Sequence, residues 1–417
     1  MPPASTTIRI RVRMSARPID EPHRAASQLE LLFDLTFVVA VAAVTAQLAH
    51  SIADGHGLAQ LVPFLQVFFA IWWAWMNFTW FASSYDTDDV AYRLLTMVQM
   101  AGVLVLAAGV PAAISDSDYG VVTLGYLIMR VALVSQWLRA GLEDPDSRRT
   151  ARRYAAGISL VQLGWVLRFL LVDTGALPSS SALPLFACLV VLELAVPRWA
   201  ERARATNWHP HHIAERYGLF TIILLGESVL AASRGVEGAL EAGEISGGFV
   251  VIAFSGLVLL FALWWLYFLV EAGEGLSDRR HRSYLWGYGH YGIFAALAAL
   301  GAGLEVAVEQ SGHAVAASPL ALGYAVAIPV GVYLALLWAV HALVVATPVF
   351  FPAVVLGCVI VILVLPLATP WIGVAAVVAV IAAICVVLVA VTIWTAVVGA
   401  RAGARRHGPQ SSSSGEA

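Results

Sequence analysis

Twelve apolar runs, each close to the roughly 20 residues a helix needs to cross a bilayer, dominate this chain. They lie near 29–50, 58–82, 91–114, 119–138, 154–172, 182–197, 212–233, 247–270, 284–308, 319–344, 349–366 and 371–398. In hydrocarbon the backbone must satisfy its own hydrogen bonds, so runs of this length read as helices. The predicted fold is an all-α polytopic membrane bundle of about twelve helices. Composition agrees: 60% of residues are hydrophobic and 12% charged, with a mean hydropathy of +0.81. Ordinary soluble domains carry about 25% charged residues.

The basic residues orient the bundle. All 24 are arginine. Arg9, Arg11, Arg13, Arg17 and Arg24 precede the first run. Further clusters follow the fourth, sixth, eighth and last runs, and only Arg234 falls on the opposite side. The positive-inside rule then puts both termini in the cytoplasm. An odd number of crossings would strand Arg401, Arg405 and Arg406 outside. Residues 1–27 read as a disordered cytoplasmic arm and 401–417, ending SSSSGEA, as a disordered tail. The net charge of −3 points to no nucleic-acid partner. The three cysteines lie in apolar runs and have no metal or disulfide spacing.

The two Trp-Trp pairs, Trp72-Trp73 and Trp264-Trp265, stand 192 residues apart, and so do Tyr92 and Tyr284. This register predicts two six-helix copies, 28–205 and 206–400, related as a parallel repeat of the kind found in some transporters. The tryptophans read as packing and interface anchors, with an aromatic cage for an organic cation as the functional alternative.

Acids inside the runs carry the functional signal. A charge in hydrocarbon costs at least about 2.5–3.5 kcal/mol on insertion scales and marks a functional candidate. Glu30 and Asp34 stand one turn apart on the first helix, a spacing that suits a proton-binding pair or a cation site. The alternative is that both acids cap groups at the helix end. In the seventh run His212, Glu215 and Arg216 open the helix, and Glu227 lies deeper. Arg216 and Glu227 share a face roughly 16 Å apart, too far to pair. Arg216 therefore needs Glu30 or Asp34, and Glu227 is left without a partner, which makes it the leading candidate for proton or substrate handling. Its alternative is a protonated acid acting as interhelical glue.

His290, among Gly287, Gly289 and Gly292, is a candidate relay. Arg130 and Glu193 lie near mid-span and are candidates to pair with each other. Asp86, with Asp88, Asp89 and Arg93, marks a cytoplasmic loop that forms either a salt-bridged gate or a solvated turn. His209, His211, His212 and Glu215 fix no third metal ligand, and no metal or cofactor is expected. No nucleotide loop, G-x-S-x-G elbow or H-E-x-x-H motif is present.

RAASQLELLFDLTFVVAV, around Glu30 and Asp34, resembles the opening signature of the bacterial low temperature requirement A family. HHIAERYGLFTIILLGESVLA, with His212, Glu215, Arg216, Gly218, Gly226 and Glu227, resembles its second signature. The Trp-rich second run and WGYGHYGI, with His290, are similar to it too, so the likeness covers roughly residues 25–400. It implies a multi-spanning bacterial inner-membrane protein. The family is named for a growth phenotype, so the likeness implies no particular substrate.

The functional expectation is a proton- or cation-coupled secondary transporter of a small solute or ion. An integral membrane enzyme, or a structural or regulatory protein with a charge-paired core, is the alternative. The lipid bilayer is the expected partner. A transporter should show a cavity between the halves lined by Glu30, Asp34 and Glu227. A structural protein should show every buried charge paired.

Overall fold

The computed structural model describes residues 10–19, 21, 22, 24–241, 246–311, 315–344 and 351–406. Expectations for 1–9 of the arm and 407–417 of the tail lie outside these residues. Among the described residues all regular structure is helical. The first half holds α1 (Gln28–Ala53), α2 (Gly57–Tyr85), α3 (Val90–Ser115), α4 (Gly120–Glu143), α5 (Arg148–Asp173) and α6 (Ala182–Glu201). The second holds α7 (Pro210–Glu241), α8 (Gly247–Phe268), the short α9 (Ala272–Asp278), α10 (Ser283–Glu309), α11 (Pro319–Val344), α12 (Pro352–Val364) and α13 (Thr369–Arg406).

Ten helical stretches among the described residues are long and apolar enough to cross a membrane, with α12 and α13 counted as one stretch. The 32-residue α7 is not among the ten. Its opening turns carry His212, Glu215 and Arg216, and Glu227 and Arg234 follow. The stretch from α12 to α13 doubles back. Gly331 of α11 lies against Leu363, and Gly323 against Pro366 and Thr369, so α12 runs antiparallel to α11. Leu388 of α13 then returns to the level of Leu334, Leu337 and Val355. The turn falls near Gly373, whose φ of 79° lies in the left-handed region that glycine adopts without strain. α13 continues to Arg406, so residues 401–406 are helical rather than part of a disordered tail.

The helix starts follow from local chemistry. Ser27 and Glu30 form a reciprocal capping box at α1, with the Ser27 N–H donating to Glu30 Oε2 at 2.7 Å. Asp89 caps α3 by accepting from the Tyr92 N–H at 2.9 Å. α1 is central and packs on α2, α3, α7 and α10. Glycine permits close approach between α3 and α4, and likewise between α10 and α11 at Gly303. A Cβ at Gly125 would come within 2.3 Å of the Leu106 nitrogen.

The two Trp-Trp pairs occupy opposite environments. Trp72 and Trp73 are buried with Trp75 in the core, whereas Trp264 is 45% and Trp265 49% exposed. The latter lie on an outward apolar strip of α8 with Phe254 and Phe261, the arrangement a lipid-facing surface takes. The sequence register is therefore not matched by equivalent packing at these positions.

The N-terminal arm also departs from expectation. Its described residues form an extended strap docked across the Arg-rich end of the bundle, not a disordered arm. The Arg17 N–H donates to Ser84 O (2.9 Å), Val12 N–H to Asp89 Oδ2 (2.9 Å) and Met14 N–H to Glu143 Oε2 (2.6 Å). Met14 is wholly buried. An extended segment has no internal ladder, so its backbone groups find partners on helix ends instead.

Candidate functional site

Glu30 and Asp34 sit one turn apart on the face of α1 that meets α7. Arg216 of α7 lies between them. Its Nη2 donates to Asp34 Oδ1 at 2.6 Å, and its Nη1 lies 3.1 Å from Glu30 Oε1. Trp75 Nε1 also donates to Asp34 Oδ1, at 2.7 Å. Around Glu30 Oε1 stand His212 Nε2 at 3.0 Å and Arg24 Nη2 at 3.4 Å. Glu30, Asp34, His212 and Arg216 are at most 3% exposed. Two carboxylates thus face two guanidiniums. The repulsion expected of an isolated i, i+4 acid pair is cancelled. Glu30 acts both as a capping group and as an ion-pair partner, using one oxygen for each role. Asp34 Oδ2 is buried and makes no hydrogen bond.

Glu215, grouped with these residues by sequence, is exposed and turned away from them. It accepts from the Ala26 N–H at 3.2 Å and so tethers the strap.

Arg24 of the strap links the network to the α2–α3 loop, with Nη2 3.6 Å from Asp86 Oδ2. Arg17 approaches the same carboxylate at 3.5 Å. Burial, reinforced by the Glu30 charge, pushes Asp86 up to about 6 against the pull of Arg24 and Arg17. Burial also acts on Asp89, but bonds from Arg139 and from the backbone of Val12 and Tyr92 bring it down to about 2. Arg93 pairs with Asp88 at the surface, 2.7 Å apart, and acts on Asp86 only at longer range. The loop acid Asp86 is thus salt-bridged, with arginines supplied by the strap.

A second closed network lies in the first half. Arg130 Nη2 is 3.1 Å from Glu193 Oε2, as their mid-span positions suggested. Glu193 also accepts from Trp73 Nε1 (2.7 Å), Tyr126 OH (2.8 Å) and Trp165 Nε1 (3.1 Å). Sequence reading missed these donors. The signal lay in the tryptophans, whose N–H needs an acceptor wherever it is buried.

Glu227 is buried and pairs with Arg234, seven residues on along α7, at 3.3 Å. The expectation that it had no partner is corrected: the two lie two turns apart, and the Arg234 side chain spans the distance. Glu227 Oε2 and Glu305 Oε2 of α10 are buried without hydrogen bonds, and the two acids lie within electrostatic range. Glu227 stands well away from Glu30 and Asp34, toward the other end of α7. His290 accepts or shares the Tyr267 hydroxyl at Nε2 (3.1 Å), and its Nδ1 lies 2.8 Å from Trp286 O. With Nδ1 bonded to a carbonyl, the proton sits there and Nε2 accepts. Both nitrogens are engaged, and neither contacts the carboxylates above.

A cleft opens between the halves at the Arg-rich end, where α2, α4, α5 and α6 face α10. Glu30, Asp34 and Glu227 do not line it; Asn77, Glu201 and several aromatic rings do. This cleft is therefore not the expected cavity, which Glu30, Asp34 and Glu227 were to line.

Removing one member of a buried ion pair leaves the rest uncompensated, at a cost of about 3–5 kcal/mol. Arg216→Gln should therefore lower the thermal-unfolding midpoint in detergent far more than the surface change Arg93→Gln. Equal effects would contradict the network's importance.

Asp86 provides a pH test. Its folded pKa lies above the ordinary value of 3.8, so the folded state binds the extra proton between 3.8 and about 6. Its stabilising contribution is full below 3.8 and is lost as pH rises through about 6. The wild type should lose stability across that window, and Asp86→Asn should flatten the loss. Parallel pH profiles for the two would refute the assignment.

The sequence profile of the bacterial low temperature requirement A protein matches residues 25–393. An uncharacterized protein of Rhizobium meliloti (strain 1021) is 29% identical over 286 residues. That match covers 64% of this chain and 66% of the relative, just under two thirds of its length. No solved structure matches. The profile covers nearly the whole chain, including both acid-bearing signature segments, and the chain belongs to the bacterial low temperature requirement A family.

Proposed function

We propose that this protein is a secondary transporter of the bacterial inner membrane, coupled to protons or a cation. In this reading it crosses the membrane twelve times in two parallel six-helix halves, 28–205 and 206–400, with both termini in the cytoplasm. The observation that carries it is the Arg216–Glu30–Asp34 network. It joins α1 of one half to α7 of the other, at the end where the halves part around a cleft. A buried ion-pair network is seldom the most stable filling for a core and is well suited to a two-state contact. Protonation or cation binding at the carboxylates would release Arg216 and let the halves move.

Packing supports the repeat. The pairings α1 with α3, α3 with α4 and α4 with α5 recur as α7 with α10, α10 with α11 and α11 with α12. The halves differ at their ends, since α13 packs directly on α8, whereas α6 reaches α2 chiefly through side chains such as Glu193 and Trp73.

One observation favours a second reading, a structural or regulatory protein. The buried charges at both networks are paired, as a polar-glued core requires.

Ion and solute flux in proteoliposomes separates the two. Substrate-dependent flux should appear for the wild type and fall at least about tenfold, equivalent to roughly 1.4 kcal/mol, in Glu30→Gln and in Glu227→Gln. Robust flux unchanged by either substitution would remove the proposed role of these acids.

A further inference from the structure

The cleft at the Arg-rich end has a feature that the charge networks lack. Its carboxylate, Glu201, makes no ion pair among the described residues. Glu30, Asp86, Asp89 and Glu143 at this end of the bundle each have an arginine partner. Glu201 is held only by neutral hydroxyls. Tyr284 OH donates to Oε2 at 2.6 Å, Tyr154 OH to Oε1 at 3.2 Å, and the Thr206 hydroxyl also to Oε1. The guanidiniums of Arg198 and Arg280 act on this corner only through longer-range electrostatics.

The rest of the wall is aromatic. Trp80, Trp137, Tyr154, Tyr284 and Tyr288 line the same cleft as the carboxylate, from both halves of the chain. Several of their polar tips are committed elsewhere. Trp80 Nε1 donates to Tyr217 OH (3.2 Å) and Tyr288 OH to Leu194 O (3.0 Å). The walls are mainly apolar, with one face each of Trp137 and Tyr154 taken up by their mutual stacking at 4.1 Å. Ring faces attract cations through their quadrupole, and a carboxylate beside them supplies the counter-charge. The neighbourhood already holds one cation in this way. The Arg280 guanidinium stacks 3.9 Å above Trp208, which packs edge-on against Trp80.

We propose that this cleft binds a small organic cation bearing a quaternary ammonium head, with Glu201 as its counter-charge. The cavity itself is small, about 30 Å³, so the head group seats at its open mouth and the rest of the ligand stays outside. A metal ion is a poor fit, because hard cations need several oxygen ligands and these walls are mostly ring carbon. The binding site stands independently of transport. Its role as the entry point for cargo rests on the transport reading.

Calorimetric titration of the full-length protein in detergent tests it, with tetramethylammonium and choline as probes. The neutral choline isostere 3,3-dimethylbutanol is the control. The wild type should bind both cations saturably and the isostere at least about tenfold more weakly. Glu201→Gln should weaken cation binding about tenfold. Tyr288→Leu should weaken it about fivefold, while Tyr288→Phe, which keeps the ring and loses only the hydroxyl, should stay near wild type. This pair keeps the test decisive if Glu201→Gln does not fold. Three results would overturn the proposal: no saturable cation binding by the wild type, equal affinity for the neutral isostere, or Tyr288→Leu and Tyr288→Phe binding alike. Proteoliposome flux of another solute, alongside no cation binding, would overturn this site and leave the transport reading intact.

Discussion

Arg216 is the charge on which the centre of the molecule depends. It comes from α7 and meets two carboxylates of α1, so it is both the neutralising partner of Glu30 and Asp34 and a direct polar link between the halves. Placing any of these groups in hydrocarbon alone would be costly. Together they form a local balance of charge that only holds while α1 and α7 keep their register. The surrounding aromatic packing fixes that register, with Trp75 bonded to Asp34 and stacked near Phe220 of α7.

The strap extends this logic to the end of the bundle. Arg24 is the second cation of the network and touches both Glu30 and Asp86. A segment outside the helical bundle thereby completes the charge balance inside it. Displacing the strap would expose Glu30 and Asp86 to each other without their bridge. The strap and the α1–α7 contact therefore share Glu30, which both Arg24 and Arg216 reach. Glu215, which tethers the strap from α7, strengthens that link.

Much of the architecture was legible in the residues. Hydrophobic length located the helices, because burial of the backbone in lipid leaves little choice of structure, but ends of α5, α7 and α13 run six to eight residues beyond the apolar runs. The pairing of Arg130 with Glu193, and of Arg216 with the α1 acids, followed from the cost of isolated buried charge. What was not legible depended on helix rotation and side-chain reach. Trp264 and Trp265 share a sequence register with Trp72 and Trp73, but α8 turns its pair outward. Glu227 looked alone because Arg234 lay at the end of the apolar run, where a long side chain folds back along the helix. Glu201 drew no notice because it follows the sixth run in a connection, and only the fold brings five aromatic rings into the same cleft.

The central claim is that Arg216 and the α1 carboxylates act as one coupled unit. A double-mutant cycle on Arg216→Met and Asp34→Leu, read by unfolding free energy in detergent, measures this directly. Coupling of about 1–3 kcal/mol is predicted, with the double variant more stable than the sum of the single losses implies. Additive losses within about 0.5 kcal/mol would contradict the account.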